Sequence, residues 1–156
     1  MRAQHLKVIS LLSVVFWAAL LIHIYWMFAQ PLPDDDRIRQ FAERYRITSS
    51  LELFVIVAVG ITFSLLSWLR RAGWAALVVA CLAAFTFWRM YLQGLPYFFR
   101  PPLGDGTFER AFAVWWRLHS PMLAWHIVKA VLLILSAVTW TFVYVRLSRE
   151  QKVHVV

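Results

Sequence analysis

Two histidines and a lysine stand close together in the segment HSPMLAWHIVK. Ser120 and Pro121 are a helix-start signal, because a serine oxygen accepts from the free amides of a first turn and proline there loses no hydrogen bond. A helix that begins at Pro121 carries His126 about 8 Å below its start. His119 then lies just outside the helix, and Lys129 lies one turn deeper on nearly the same face as His126.

Another histidine lies at the matching depth in the first apolar stretch of the chain. His23 is five residues from the end of that stretch, which places it about 8 Å from the surface where the stretch ends. Two imidazoles at one depth on two helices can project into the same bundle core. We therefore predict that His23 and His126 form the centre of a polar site in the outer half of a helical bundle.

Further polar side chains fall in the same half of the predicted bundle. They are Tyr25, Met27, Glu52, Arg89, Tyr91, Gln93 and Lys129. Ionisable groups below the membrane surface are costly and usually face the bundle interior in pairs or line a cavity. Glu52 is the natural partner for Lys129. A network of Glu52, Arg89 and Lys129, with Tyr25 and His119 beside it, would fix packing without doing chemistry.

A redox cofactor is one alternative to a packing role. Two neutral imidazoles from two helices of a bundle can supply both axial ligands of a b-type haem. His23 and His126 would be those ligands. The candidates for contacts with the haem propionates or edge are Arg89, Lys129, Tyr25 and Trp125.

Two other chemistries suit the same residue types. A copper or similar ion could be held by His23, Met27 and His126, because imidazole and thioether groups are suitable ligands. A proton-handling or quinone-handling site could instead use Glu52, Lys129 and the histidines. None of these spacings is diagnostic, so the alternatives stay open at this point.

Four apolar stretches supply the helices that would position these side chains. Each stretch is long enough to cross a bilayer core about 30 Å thick, which needs about 20 residues. They cover residues 8–28, 51–69, 74–92 and 122–145, with outer loops at 29–50 and 93–121. With 62% hydrophobic and 15% charged residues, the composition predicts an all-α integral membrane protein, one domain over residues 1–156, as an up-down bundle of four transmembrane helices.

The distribution of Lys and Arg favours one orientation of this bundle. Seven basic residues lie in the short termini and in the connection that follows the second stretch, and seven lie in the two longer loops. The higher density in the short segments predicts both termini in the cytoplasm of a bacterial-type inner membrane. The first stretch is predicted to be a retained anchor, because it is too long for a signal peptide and lacks a small-residue cleavage site.

Each outer loop carries an amphipathic pattern. In the first loop Ile38, Phe41 and Tyr45 recur at spacings of three and four, behind a capping run that ends at Asp36. In the second loop an aromatic stripe runs from Phe108 to Trp116. Both patterns predict interfacial helices that lie along the lipid headgroups.

The charge of the chain and the motifs in its sequence limit the class of function. The net charge of +8 comes from residues between apolar stretches, so it indicates anionic lipid and not nucleic acid. Cys81 is predicted to be a small packing residue. We find no independent catalytic motif. The sequence therefore favours an accessory or anchor subunit of a larger membrane complex, with protein partners, over a haem-binding or metal-binding redox subunit or a small transporter.

Overall fold

The structure, a computed structural model, describes residues 3–29, 31, 32, 34, 36–92 and 123–153. Over these ranges the chain is helical and forms no strand. Its elements are α1 (Ala3–Ala19), α2 (Leu21–Ala29), α3 (Asp36–Arg70), α4 (Gly73–Phe87), a π-helical turn (Trp88–Leu92) and α5 (Leu123–Val153). Within the described ranges, four segments are long and apolar enough to cross a membrane: Gln4–Ala29, Arg46–Arg70, Gly73–Tyr91 and Leu123–Gln151.

The helix predicted in the first outer loop and the second apolar stretch form a single helix, α3. It begins at Asp36 and continues to Arg70. The segment RITSS that joins the two parts contains neither Pro nor Gly, so nothing in it ends a helix. The side chains of Ile38, Phe41 and Tyr45 lie outside the described residues. So does the whole predicted second loop, with its stripe from Phe108 to Trp116 and the predicted helix start at Pro121.

Each long helix buries a seam of side chains, and α4, which packs on both α3 and α5, also buries Ala75 and Ala80. The seam positions recur at spacings of three or four residues, or of seven from Leu133 to Trp140, which is the pattern of left-handed helix packing. In α1 the seam residues are Leu6, Ser10, Ser13 and Trp17, and in α3 they are Ser50, Leu53, Val57, Gly60, Ser64 and Ser67. In α4 they are Ala76, Val79, Ala83 and Thr86, and in α5 they are Lys129, Leu133, Trp140, Val143 and Leu147.

Small residues let neighbouring helices approach closely. The indole of Trp17 lies against Gly60, where a β-carbon would stand only 2.4 Å from a ring carbon. Lys7 lies over the ring of Trp68, 5.7 Å from its centroid. The start of α1 is therefore beside the end of α3. Such close packing brings the two backbones near each other and increases the van der Waals contact between the helices.

α3 and α4 are joined by a very short turn. Arg71 adopts a positive φ of 48° there, a left-handed conformation that reverses the chain just after a helix end. Gly73, which opens α4, lies beside Ser148 near the end of α5. The packing of α4 on α5 is the most extensive in the described structure, whereas α1 and α5 share little contact.

Cys81 does not have the packing role predicted from its apolar surroundings. Its side chain is exposed on the outer surface of α4. The reason is helical phase, since Cys81 lies between the buried positions Val79 and Ala83 and turns away from the seam.

Candidate functional site

The helical phase of α2 turns His23 into the bundle. In α1 the seam reaches Leu20, and a regular continuation would next bury Ile24. Instead, the amide of His23 donates to the Leu20 carbonyl three residues before it, at 3.0 Å, and the Leu20 amide donates to Trp17 at 3.1 Å. A turn with three residues per repeat rotates the side chains that follow it about the helix axis. His23 is therefore buried, while Ile24 is only half-buried.

His23 and His126 meet at one end of the bundle, which we call the histidine end. Their ring centroids are 5.3 Å apart and the planes meet at 81°, an edge-to-face arrangement. His23 is buried and His126 is half-buried. The structure thus brings together the two histidines whose equal depth was noted from the sequence.

The π-helical turn makes hydrogen bonds to the helices on both sides of it, α3 and α5. Arg89 donates through Nε to Glu52 Oε1 at 2.9 Å, and through its terminal nitrogen to Oε2 at 3.2 Å. Tyr91 donates its hydroxyl hydrogen to the backbone carbonyl of His126 at 2.8 Å. The π-turn widens the helix locally, and such turns are frequent at functional sites. Here it holds α3 through Arg89 and α5 through Tyr91.

The sequence suggested that Lys129 pairs with Glu52, but the described structure contains no such pair. Glu52 lies against Arg89, which occupies both of its carboxylate oxygens. Lys129 is fully buried, and among the described residues its Nζ has no hydrogen-bond partner. The difference arises because Lys129 lies on the inner seam of α5, whereas the side chains of Glu52 and Arg89 are 32% and 44% exposed.

The other residues singled out from the sequence lie in different surroundings. Tyr25 is 76% exposed and points away from the bundle, which removes it from the predicted polar network. Met27 is buried one turn beyond His23, on the same side of α2. Trp125 is half-buried, and its Nε1 has no hydrogen-bond partner in the described part of the chain. His119 lies outside the described residues.

The two histidine rings lie closer together in this structure than two axial ligands of a haem would. With metal–nitrogen bonds of about 2 Å, two axial imidazoles on opposite faces have centroids about 6 Å apart, and a macrocycle lies between them. At 5.3 Å the two rings contact each other directly. A bent nitrogen–metal–nitrogen arrangement, with centroids about 5 Å apart, is compatible with a small ion. Within the described ranges, however, no three His, Cys, Asp or Glu residues are grouped to hold a metal.

A buried hydrogen-bonded cluster lies deeper along the seams, and the sequence reasoning did not identify it. Trp140 Nε1 donates to Ser13 Oγ at 3.1 Å, the oxygens of Ser13 and Ser64 are 2.9 Å apart, and the Ser64 hydroxyl donates to the Gly60 carbonyl at 2.7 Å. Since Ser64 has one hydroxyl hydrogen and donates it to Gly60, Ser13 is the donor to Ser64. We call Ser13, Ser64 and Trp140 the serine cluster. The signal was present in the sequence, because all three residues fall on seam positions.

The chain was compared with protein-family models, with curated proteins and with solved structures, and none of these gave a match.

Proposed function

We propose that this chain is a multi-pass protein of a bacterial-type inner membrane, with its helices in an up-down bundle and both termini in the cytoplasm. The proposal is supported by four helices of spanning length. It is also supported by Arg70 and Arg71, which lie at the short turn between α3 and α4, on the side assigned to the cytoplasm.

Within that membrane, we propose that the function of the chain is to provide a small-ligand site at the histidine end. The observation that carries the proposal is the contact between His23 and His126 beside the fully buried Lys129. Two helices that share little other contact bring these groups together in an apolar bundle. Ionisable residues at membrane depth are costly, and they commonly mark substrate, ion or proton sites.

A packing role alone does not account for Lys129. The serine cluster gives each of its donors an acceptor, which is how buried polar groups stabilise a bundle. Lys129 has no such acceptor within the described structure. A methionine or leucine would fill similar space without the cost of removing an amine from water. The lysine is therefore better explained by something that it binds.

A role as accessory or anchor subunit is a second proposal, and it is compatible with the first. A smaller share of α5 is buried than of any other spanning helix described here. Its outward apolar residues include Ile127, Val131 and Val138. These side chains can face lipid or the helices of a partner. Stoichiometric recovery of partner proteins after gentle detergent extraction is expected, and an active preparation of this chain alone would count against it.

The ligand site can be tested by analysing what purifies with the protein. Wild-type protein in mild detergent would be examined by native mass spectrometry, by elemental analysis and by a reduced-minus-oxidised absorption spectrum. We expect a bound small molecule or ion that is lost in both His23→Leu and His126→Leu. His5→Leu is the matched control, because His5 is an exposed histidine of α1. Equal ligand content in all four proteins would contradict the proposal.

A further inference from the structure

The histidine end contains hydrogen-bond donors for which the described structure offers no acceptor. Lys129 Nζ and Trp125 Nε1 both lack a hydrogen-bond partner there. The two residues are four positions apart on α5, so their side chains lie one above the other on the same face. His126 lies between them in sequence, three residues before Lys129. Both donors therefore lie within one helical turn of His126, the residue through which α5 contacts His23.

Buried N–H donors of this kind are stabilised when a hydrogen-bond acceptor is present. An amine carries at least two N–H donors in either protonation state, and an indole nitrogen is a donor only. Leaving such groups buried without a partner costs free energy, and the cost is larger in an apolar bundle than at a water-exposed surface. An oxygen with free lone pairs would satisfy both Lys129 and Trp125.

The same donors disfavour a metal cation as the occupant. The amine of Lys129 is about one helical turn from His126, and a charged amine at that distance repels a cation strongly where the dielectric constant is low. An indole nitrogen that carries hydrogen does not act as a metal ligand. The histidine pair has a separation compatible with a small ion, but the surrounding donors favour an anion or a carbonyl oxygen.

Access to the site favours a ligand with an apolar body. Lys129 is fully buried, so a ligand must enter by separating helices. α5 packs chiefly on α4 and shares little contact with α1 or α2. Ile22 and Ile127, which are more than half exposed near the histidines, make the outer surface there apolar. A molecule dissolved in the bilayer would reach Lys129 by that route.

We infer that the histidine end binds the carbonyl or carboxylate oxygen of an apolar molecule that enters from the bilayer, with Lys129 and Trp125 as hydrogen-bond donors to that oxygen. This inference rests on the proposed ligand site and names its ligand class. Two sources share this chemistry: a quinone, through a neutral ring carbonyl, and a long-chain fatty acid, through its carboxylate.

The test measures the thermal unfolding temperature of the full chain in mild detergent with two probes, decylubiquinone and dodecanoate. A ligand that binds only the folded state raises this temperature, by at least about 5 °C at saturation. We expect a rise with one or both probes for wild type, and the probe that produces it identifies the source. Lys129→Met should lose the rise. Lys7→Met, which removes an exposed lysine at the far end of α1, should keep it.

A comparison on the wild-type protein covers the case in which Lys129→Met does not fold. Dodecane, which has the same chain but no oxygen acceptor, should give no rise. Equal rises with dodecanoate and dodecane, no rise with either probe, or an unchanged rise in Lys129→Met would overturn the inference. If Cu(I) or Zn²⁺ then binds wild type and not His23→Leu, the ligand site stands and only its ligand class is wrong. If no metal binds either, both proposals fail.

Discussion

Two clusters of buried polar side chains in this bundle differ in whether their hydrogen-bond donors have acceptors. In the serine cluster, hydrogen bonds run from Trp140 through Ser13 and Ser64 to the Gly60 carbonyl. At the histidine end, Lys129 has no acceptor in the described structure. We propose that the first cluster stabilises the bundle and that the second binds a ligand, and two substitutions test this difference.

Ser13→Ala is expected to destabilise the bundle. It removes the acceptor of Trp140 Nε1 and the donor to Ser64, two of the contacts that join α1 to α5 and α3. Single interhelical hydrogen bonds in membranes contribute roughly 0.6 to 2 kcal/mol, so we expect a loss of about 1 to 3 kcal/mol. The measurement is reversible unfolding in mixed micelles.

Ser10→Ala is the matched control for this experiment. Ser10 lies one turn away on the same seam and is fully buried, but its Oγ has no partner among the residues that the structure describes. Its replacement is expected to be neutral or slightly stabilising. Equal losses in the two variants would show that the hydrogen bonds of Ser13 do not stabilise the bundle.

Lys129→Met is expected to have the opposite effect on stability. It replaces an unpartnered buried amine with an apolar side chain of similar length, a kind of change that is often neutral or stabilising by about 1 to 4 kcal/mol. Lys7→Met removes a lysine that lies over the Trp68 ring, and it should cost about 0.5 to 1 kcal/mol. Marked destabilisation by Lys129→Met would indicate that the lysine holds the fold together.

At the residue scale, the level of a side chain along the bundle could be predicted from the sequence, but the direction in which it points could not. Counting residues from the span ends placed His23 and His126 at one level. Whether both point inward depends on the tight turn at Leu20, which no Pro or Gly marks. The partner of Glu52 likewise depends on how α3 and α4 are rotated about their own axes, which the sequence does not specify. That is why Arg89, and not Lys129, occupies its carboxylate.

At the scale of single elements, the approach of α1 to α3 depends on one residue without a side chain. Gly60→Ala places a β-carbon 2.4 Å from the Trp17 ring, which is wedged between helices and cannot simply move aside. Overpacking of this kind costs roughly 1 to 3 kcal/mol. The free energy of unfolding should fall by about that amount.

Gly73→Ala is the control for Gly60→Ala. Its β-carbon would meet the Ser148 hydroxyl at 3.3 Å, a contact that a small side-chain rotation relieves. Alanine also gains up to about 1 kcal/mol of helix propensity over glycine. Little change or a slight gain in stability is expected. If Gly73→Ala proved as damaging as Gly60→Ala, the specific contact with Trp17 would not be the cause.

Element boundaries could be predicted only in part. The apolar stretches indicated four helices of spanning length, and four are present among the described residues. The extension of α3 back to Asp36 was not predicted, although the segment RITSS between the surface helix and the spanning helix contains no residue that ends a helix. The π-turn at Trp88–Leu92 had no sequence signal either, although it positions both Arg89 and Tyr91.

At the scale of the whole molecule, the packing is uneven. α4 packs extensively on α5, α1 packs on α3, and the boundary between α1 and α5 has little contact. The hydrogen bond from Trp140 to Ser13 joins α5 to α1 across that boundary, and the histidine pair joins α5 to α2. This arrangement places the proposed ligand site where separating α5 from α1 and α2 disturbs few contacts.

The proposed orientation in the membrane has a direct test. A fluorescent protein fused after Val156 should fluoresce, and an alkaline phosphatase fused there should be inactive, because the C-terminus is assigned to the cytoplasm. The same reporters inserted after Leu32, between α2 and α3, should give the reverse result. Matching signals at the two positions would contradict the proposed topology.

The central claim is that His23 and His126 meet inside the membrane, and cross-linking tests it most directly. The background is Cys81→Ala, which removes the natural free thiol. His23→Cys with His126→Cys should be joined by a short bis-maleimide in intact membranes. Tyr25→Cys with His126→Cys should not be, because Tyr25 points away from the bundle. Failure of the first pair to link, or equal linking of both pairs, would contradict the account.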